Sequence, residues 1–560
     1  MKLLSSSVFV CMFLSAMASG QNMDTLPKEK IPALKWNGGI GIGTQVYNVS
    51  GIDNRLVSPM WNISGNASVR IYDKISLPFS FTIGRQGSST AFPVFNQVGF
   101  SPKYKSLTIH AGWRRVHFSD FTLGDHTFMG AGVEFNPGKL RIAAISGRFR
   151  KARDFDAEQS NTSIGAVFKR TGYSFKLGYG TDATFFDLIY FKAKDDNASL
   201  KVLPPDSLLT ASENAVIGFN TKISLGSAFS LFAEGALSAF TRDVSSTPSD
   251  SGYFQGVQER IITPRFSTRA NYAIKTGIET GSNKIRLRLQ YERIAPEYET
   301  MGSFFFLNDL ENITIAPNIS LFNYKLRING YAGIQRNNLL NNRSETTKRF
   351  IGVGNISLQA TEVFGLDINF NSVNINQEQA NIRFSDTIRV AMVTTHYSIN
   401  PRWTWIRDTS LVRSLTGGIN YQVLNDRNPF TREFTDMNTW FVNVNYNVST
   451  PVTGFTWFAG LNYNIIQLAN LNTTRYGATA GADKSTKDQK WVLSGSVTYN
   501  LSNIDKEKDG SVISFNTNIR FAPEPKHAFT LSANILRNNS SAFEDFTEVI
   551  AGLNYNYMLR

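Results

Sequence analysis

Cysteine is nearly absent from this chain of 560 residues, and charged residues and long apolar runs are scarce. The single cysteine, Cys11, excludes a disulfide framework and a cysteine-based metal site. Charged residues make up 18% of the sequence, below the roughly 25% of typical soluble domains. Beyond the first twenty residues, no apolar run reaches the ~18 residues that a membrane-spanning helix needs. These features leave a secreted protein, a periplasmic protein or a transmembrane β-barrel.

The first twenty residues have the pattern of a secretory signal peptide. Lys2 supplies the positive start, an apolar stretch follows, and small residues end the segment. Cleavage after Ala18 and cleavage after Gly20 fit the small-residue rule equally well. We therefore predict a signal peptide at 1–20 and a short periplasmic segment at 21–35. That segment is too short for the plug domain of an energy-coupled receptor.

A strict two-residue alternation begins in the stretch WNISGNASVRIY (61–72). One set of positions is apolar or small and the other is polar, as in Trp61, Ile63, Gly65, Ala67, Val69 and Ile71 against Asn62, Ser64, Asn66, Ser68, Arg70 and Tyr72. The pattern recurs at 285–293, 440–448, 491–501 and 549–559. Because successive side chains on a strand point to opposite faces, this pattern predicts a sheet with one dry face.

The connections between these segments are of two kinds. Tight turns are predicted at Asp73-Lys74, Asn136-Pro137-Gly138, Leu225-Gly226-Ser227, Gly281-Ser282-Asn283 and Phe322-Asn323. They alternate with long polar stretches at about 85–104, 194–214, 242–264, 295–310, 337–347, 376–385 and 425–437. Short turns on one side and long loops on the other are typical of an outer-membrane barrel. A soluble β-sandwich or propeller array would need repeats or domain breaks, and neither is visible.

The number of strands follows from counting the alternating segments. A first count gives 25, but a chain with both termini in the periplasm crosses the membrane an even number of times. The stretch RYGATAGADK (475–484) supplies the missing strand. We therefore predict an all-β fold: a single transmembrane antiparallel up-and-down β-barrel of about 26 strands (22–26) over residues 36–560. Aromatic girdles at the lipid boundary are expected at Trp36, Trp113, Trp440, Tyr499 and Tyr557.

Three stretches resemble the large outer-membrane β-barrel proteins of Bacteroidota-type Gram-negative bacteria. They are GFSPKYKSLTIHAGWRRVHFSDFTLGDHTFMGAGVEFNPGKLRIAAISGRF (99–149), QYERIAPEYETMGSFFFLNDLENITI (290–315) and YGATAGADKSTKDQKWVLSGSVTYN (476–500). The resemblance extends over most of the chain and lies in the general sequence pattern and in short stretches. It implies location in the cell outer membrane and implies no settled substrate, cofactor or catalytic residue.

The histidine-bearing segment HAGWRRVHFSDFTLGDH (110–126) is the main candidate for chemistry. Its metal-competent residues are His110, His117, Asp120, Asp125 and His126, and His117, Ser119 and Asp120 could be read as a hydrolase triad. His110 and His117 are seven residues apart and fall on opposite faces of a strand, which opposes the convergence that a metal ion needs. We expect a polar inter-strand segment folded towards the lumen or the periplasm, with no metal, no cofactor and no enzymatic activity.

Basic residues are the remaining candidates for function, since the formal net charge is +13. By alternation, the predicted lumen-lining residues are Arg70, Arg286, Arg288, Lys325 and Arg327, with Glu292 close by. One interpretation is a lumen of positive potential that favours anionic solutes. The alternative is that the lumen face is polar only because it is hydrated. In that case the excess of basic residues serves to bind the phosphates of lipopolysaccharide.

Two functional hypotheses follow for an integral outer-membrane barrel. The first is a porin-like passage for polar or anionic solutes. The second is a non-conducting barrel that acts as a scaffold or subunit of an outer-membrane export or nutrient-uptake assembly. The expected partners are the lipid bilayer and lipopolysaccharide, together with outer-membrane proteins or lipoproteins under the second hypothesis, and no nucleic acid. An outer-membrane hydrolase is a distant third hypothesis.

Overall fold

The computed structural model describes residues 33–559 except 57, 73, 86–96, 156–165, 203–208, 250–260, 304–306, 343–345, 347, 378–389, 409, 427, 429–430 and 542–543. The predicted signal peptide (1–20) and residues 21–32 of the predicted N-terminal segment lie outside the described residues. Within the described part of the chain, no helix is long and apolar enough to cross a membrane.

The described residues form a single antiparallel sheet of 26 strands. The first half comprises β1 Leu34–Ser50, β2 Met60–Ile71, β3 Ile75–Arg85, β4 Gln97–Phe100 with Lys103–Tyr104, β5 Leu107–Arg115, β6 Thr127–Phe135, β7 Leu140–Arg150, β8 Lys169–Gly180, β9 Phe185–Asp196, β10 Glu213–Leu225, β11 Phe229–Thr241, β12 Thr268–Gly281 and β13 Ile285–Ile294. The second half comprises β14 Leu310–Leu321, β15 Leu326–Asn337, β16 Lys348–Gln359, β17 Phe364–Gln377, β18 Val390–Asp408, β19 Leu411–Asp426, β20 Met437–Thr450, β21 Phe455–Leu468, β22 Leu471–Ser485, β23 Trp491–Ile504, β24 Glu507–Glu524, β25 His527–Ser540 and β26 Phe546–Leu559. A single helical turn, α1 (Arg432–Thr435), lies between β19 and β20.

The sheet closes because β1 pairs with β26 as well as with β2. The closing ladder runs from Gly38 opposite Leu559 to Ser50 opposite Thr547. Closure removes both sheet edges, so the backbone groups of the strands bond to one another and can lie in lipid. The predicted fold and strand number are therefore confirmed, and the strand predicted at 475–484 forms part of β22.

The strand β4 corrects one sequence-based assignment, because 85–104 was predicted to be a loop. Both pieces of β4 pair with β3 on one side and with β5 on the other. The break between the pieces falls at Ser101 and Pro102. Proline has no backbone N–H and cannot donate to the ladder, which accounts for the interruption of this strand.

The two ends of the barrel have different connections. Tight turns follow the even-numbered strands, and the predicted turns at 136–138, 226–227 and 322–323 are among them. Longer connections follow the odd-numbered strands from β1 to β19. At the same end, the connections after β21 and β23 are only 469–470 and 505–506. We call the two ends the short-turn end and the long-loop end.

The outer face of the barrel is apolar. Register partners share a face of the sheet, and Ile313 and its partner Ile334 are 57% and 62% exposed. Similar exposed apolar positions recur on strands around the barrel, for example Trp36, Leu237 and Leu461. A water-exposed band of this kind would be unfavourable in a soluble protein, whereas lipid accommodates it.

Aromatic side chains on the outer face form contact series near both ends. Towards the long-loop end, successive ring centroids are 4.3–6.3 Å apart along Phe350, Phe370, Tyr397, Tyr421 and Trp440. Towards the short-turn end, successive centroids are 4.2–6.3 Å apart along Trp491, Phe521, Phe529 and Tyr555. Rings with polar tips favour the lipid–water boundary, so these series have the composition expected of aromatic girdles.

Candidate functional site: the lumen

One sector of the inner wall is predominantly neutral and polar, with isolated charged side chains such as Arg70, Arg402 and Glu548. It extends over β18–β26 and continues through the closing ladder to β1–β3, with Asn, Ser and Thr at most inward positions. Their side chains bond across strands, as in Asn462 Nδ2 donating to Asn500 Oδ1 at 2.8 Å. Among the described residues, the buried apolar side chains outside 116–310 are Tyr47, Ala67 and Val393. This sector is therefore not covered by a described apolar core.

The opposite sector of the lumen is filled. Segment 116–126, between β5 and β6, and segment 295–303, between β13 and β14, fold inwards against the wall. They pack on the inward side chains of the wall strands, and we call this cluster the inner core: Val116, Phe118, Phe121, Leu123, Phe128, Ala143, Ile145, Phe149, Ile189, Phe191, Ala193, Val216, Ala236, Ala273, Ile294, Tyr298, Met301 and Leu310. Burial of an apolar side chain of the size of Phe or Leu contributes about 1.5–3 kcal/mol.

A buried carboxylate anchors segment 116–126 to the wall. Glu234 of β11 accepts hydrogen bonds from Ser119 Oγ at 2.8 Å and from the Phe121 backbone N–H at 3.2 Å. Lys275 of β12 lies 2.7 Å from Glu234 and also contacts Asp120 of the segment. Because these groups are largely shielded from water, each hydrogen bond to the charged carboxylate contributes more than a neutral one would.

The second segment is held by the first and by β10. Tyr298 donates its hydroxyl to the Phe121 carbonyl at 2.7 Å, and the Thr300 hydroxyl donates to the Thr122 carbonyl at 2.8 Å. Asn214, which is fully buried on β10, accepts from the Met301 backbone N–H at 3.0 Å. The two segments therefore form one unit that is fixed to the barrel wall at several points.

The titratable groups of this unit reflect its dry surroundings. Burial raises the pKa of the Tyr298 phenol, with the charge of Glu234 adding to the effect. Burial lowers the pKa of His126, in the segment between β5 and β6, to about 4, and the charges of Arg170 and Arg150 act in the same direction. His126 is therefore neutral at neutral pH, and its ring lies 5.2 Å from that of Phe149.

The structure places three predicted site residues on β13. Arg286 is partly exposed, and its Nε lies 3.4 Å from Glu279 of β12. Arg288 lies with its guanidinium carbon 4.0 Å from the ring centroid of Phe232. Glu292 accepts a hydrogen bond from Asn312 Nδ2 of β14 at 2.9 Å. These three residues share the face opposite the exposed Ile285 and Leu289, which is the inner face.

The other three predicted residues lie near the short-turn end. Arg70 of β2 is in register with Lys35 and Ser76 on the face opposite Trp36. Arg327 of β15 is in register with Ser320 and Ser357. Lys325 lies in the turn 322–325, ahead of β15, so strand alternation does not apply to it. The structure thus brings Arg288 and Glu292 to one strand but does not gather all six residues.

Several other basic residues of the inner wall have acidic partners. Arg141 Nε lies 2.8 Å from Asp187, and Arg402 lies 3.9 Å from Asp367. Lys275 contacts the carboxylates described above. Because paired charges project a weaker field than free ones, these basic residues add little to a positive lumen potential.

The histidine-bearing segment brings His117 within 3.7 Å of Asp120 and 3.5 Å of Asp125, whereas His110 makes separate contacts. His110 bonds Ser101 at 2.8 Å and Glu134 at 2.9 Å, inside the wall. Ser119 donates to Glu234, so its hydroxyl is committed to the anchor of segment 116–126. In the part of the chain that the structure describes, no three His, Cys, Asp or Glu side chains are grouped as a metal ion would require. The segment folds into the lumen, but its packed face is apolar rather than polar.

Sequence analysis did not find the inner core, although a signal was present. In FFDLIYF (185–191), apolar residues occupy both sets of alternate positions. Leu188 is 49% exposed on the outer face, whereas Ile189 and Phe191 are fully buried on the inner face. Loss of alternation within a barrel strand therefore indicates that something apolar covers its inner face.

Comparison with known proteins gives structural likenesses only. No family model matches the chain, and no curated protein matches its sequence. The P pilus usher (PapC) translocation pore has a TM-score of 0.41 at 8% identity, over 94% of this chain and 100% of that chain. OccAB4 of Acinetobacter baumannii has a TM-score of 0.32 at 10% identity, over 96% and 100%. OprD of Pseudomonas aeruginosa has a TM-score of 0.31 at 11% identity, over 62% and 91%.

The likenesses are too weak to support an argument about function. The barrel itself gives the location, because a closed ladder, an apolar outer band and a polar inner wall satisfy the demands of a bilayer. The chain is a multi-pass β-barrel of the outer membrane.

Proposed function

We propose that the barrel is a passage for polar solutes across the outer membrane, with the long-loop end facing outwards. The supporting observation is the neutral wall of Asn, Ser and Thr that runs over β18–β26 and β1–β3 without a described apolar cover. In a barrel of this strand number, such a wall surrounds space for water and solute. Hydroxyl and amide groups exchange hydrogen bonds with a passing solute without requiring that it be charged.

In this proposal the passage selects polar solutes, and it favours anions over cations only weakly. Arg286 has Glu279 beside it, whereas Arg288 has no acidic partner among the described residues. The net effect of these two residues on a permeating ion is therefore modest. Arg286 and Arg288 lie beside the inner core, on the wall away from the neutral sector.

A non-conducting scaffold is the second candidate function. It is favoured by the inner core, which fills the sector from β6 to β14 and is fixed by buried polar contacts. A subunit of an export or uptake assembly would use the barrel as a support rather than as an opening. This candidate predicts that the protein produces no conductance in a planar bilayer. It also predicts that an outer-membrane protein or lipoprotein copurifies with the chain.

Single-channel recording in planar bilayers tests the proposal. A steady conductance in KCl supports the passage. The absence of conductance contradicts it, provided that the same protein shows the heat-shifted gel mobility of a folded barrel. The reversal potential in a salt gradient tests the anion preference, with R286Q, R288Q and the double variant compared with wild type. We expect a small shift towards cations for R288Q and a smaller one for R286Q. An unchanged reversal potential in the double variant would remove the basic-lumen hypothesis.

Three further proposals depend on sequence alone. Residues 1–20 act as a signal peptide ahead of a segment at 21–35, which N-terminal sequencing of the membrane-purified protein tests. The chain comes from a Bacteroidota-type bacterium, as the three resembling stretches imply. Its membrane partner is lipopolysaccharide, and phosphate analysis of the purified protein tests for a retained lipid.

The proposed passage requires no catalysis, and a substrate turned over by the purified protein would contradict that view.

A further inference from the structure

A cavity of about 510 Å³ opens on the inner wall where β13–β17 meet the inward-folded connection after β13. Register places its lining side chains on the lumen face, opposite exposed residues such as Ile313 and Phe350. The lining residues used below are Arg288, Gln290, Glu292, Asn312, Thr314, Tyr331, Gln335, Ile351, Val353 and Asn371. The volume suits a small solute rather than a macromolecule.

Arg288 provides a cation at one end of the cavity. Its guanidinium lies over the ring of Phe232 at 4.0 Å, and its register partner on β12, Glu279, forms ion pairs with Arg286 and Lys222 instead. Its Nε is buried without a hydrogen-bond partner. A guanidinium presents a planar fork of donors that matches the two oxygens of a carboxylate, so the missing partner is a carboxylate supplied by a solute.

Glu292 provides an anion at the other end. Asn312 donates to it at 2.9 Å, and Gln335 donates to Asn312 at 2.7 Å. Arg349 in turn donates to Gln335, so four successive register partners form one relay across β13–β16. The relay holds the carboxylate in a fixed orientation, and its register partner on β12, Lys275, forms ion pairs with Glu234 and Asp120 rather than with Glu292. A fixed carboxylate of this kind favours an ammonium group.

The distance between the two charges sets the length of the solute. Arg288 and Glu292 are four residues apart on one strand face, which separates their Cα atoms by about 13 Å. An extended tripeptide spans about 10 Å between its charged termini, so it fits within this separation and leaves about 3 Å in total for the contacts at its two ends, which the flexible Arg288 and Glu292 side chains can adjust. A free amino acid is too short to reach both groups.

The wall between the two charges is suited to peptide bonds and side chains. Gln290 and Thr314 present amide and hydroxyl groups, and Asn371 Oδ1 is buried without a hydrogen-bond partner. Ile351 and Val353 supply an apolar surface beside them. A peptide backbone has both donors and acceptors at short intervals, whereas a simple organic anion offers acceptors but no N–H donors.

We propose that this cavity binds short zwitterionic peptides of about three residues, with the α-carboxylate at Arg288 and the α-ammonium at Glu292. A role for the cavity in uptake rests on the proposed passage function, because the solute must reach the lumen. Binding itself does not depend on conduction. The cavity lies between the inner core and the neutral wall, so it is a side site along the passage rather than the passage itself.

Isothermal titration calorimetry on the full-length protein in nanodiscs tests the proposal with trialanine as the probe. N-acetyl-trialanine lacks the ammonium, trialanine amide lacks the carboxylate, and maltotriose lacks both. We expect trialanine to bind at least tenfold more tightly than any of the three. E292Q should abolish the preference over the acetylated peptide, and R288Q the preference over the amide. R327Q, a matched change on the same face but outside the cavity, should leave all affinities unchanged.

The outcomes separate this inference from the proposed function. Equal affinity for the four probes, tighter binding of maltotriose, or no binding by protein with heat-shifted gel mobility would each overturn the peptide site. Loss of binding in R327Q as well would also overturn it, since the effect would then be general. A protein that conducts KCl but binds no peptide retains the passage and loses the site. A protein that binds trialanine but is silent retains the site and loses the passage.

Discussion

Removal of the Glu234 charge should detach segment 116–126 from the barrel wall. In E234Q the segment loses the carboxylate that receives Ser119 Oγ and the Phe121 N–H, and Lys275 loses its partner at 2.7 Å. Breaking a buried ion pair by removing one member costs about 3–5 kcal/mol. Lys275 keeps its contact with Asp120, so we expect the lower limit of about 3 kcal/mol.

Thiol labelling measures this detachment. Thr122 is fully buried and its hydroxyl has no hydrogen-bond partner, so T122C introduces a thiol without removing a hydrogen bond. Cys11, the only natural cysteine, lies in the predicted signal peptide. If labelling follows transient opening, a loss of about 3 kcal/mol raises the labelling rate roughly 100-fold.

A matched control lies on the other side of the lumen. Glu548 of β26 receives the Tyr47 hydroxyl at 3.2 Å and does not contact the inner core. E548Q in the T122C background should therefore label at the wild-type rate. Equal rates for E234Q and wild type would refute the anchoring role of Glu234, and equal acceleration in E548Q would show a general loosening of the barrel.

Two further predictions concern the faces of the barrel and its pH response. Leu289 is 51% exposed in the middle of β13, so L289R should destabilise the barrel by about 2–4 kcal/mol in urea titrations in vesicles, whereas Q290R on the lumen face should change it little. The lowered pKa of His126, about 4, means that the detached segment binds a proton below pH 6.5 that the packed segment does not bind. Packing of the inner core should therefore weaken as the pH falls from 6.5 to 4, by up to about 3 kcal/mol. T122C labelling, normalised to the unfolded protein at each pH, should rise over this window in wild type and remain flat in H126Q.

Each of these expectations has a contradicting result. If Q290R destabilised the barrel as much as L289R, the assignment of lipid and lumen faces on β13 would be wrong. If the labelling ratio in wild type were constant between pH 7 and pH 4, His126 would not be buried in its neutral form. Acceleration in both wild type and H126Q would show that the acid response does not come from His126.

The strands could be predicted because lipid on one side and water on the other impose a period of two on the sequence. The requirement for an even number of membrane crossings, rather than the alternation itself, located β22 in a stretch that otherwise reads as a loop. The period-two rule failed at β4, where Pro102 leaves two pieces too short to show the alternation. It also assigned Lys325 to an inward strand position, whereas the residue lies in a turn.

The inner core and its anchors could not be predicted in the same way. Ser119 and Glu234 are 115 residues apart in sequence, and a local pattern does not reveal a contact of that range. The apolar inner positions of β9 indicate that something covers them, but they do not identify segment 116–126 as the cover. The cavity likewise depends on the register of β13–β17, which brings Glu292, Asn312 and Gln335 into line.

The uneven length of the connections has a consequence for approach from outside. Over β21–β24 the strands are joined by two-residue connections at the long-loop end, so the rim is low on this arc. The low arc lies at the end of the neutral wall, whereas longer connections follow the odd-numbered strands of the filled sector. In the proposed orientation, a solute or a docking protein that approaches the long-loop end therefore meets the shortest connections above the neutral wall. The mouth of the barrel then has a preferred side of entry.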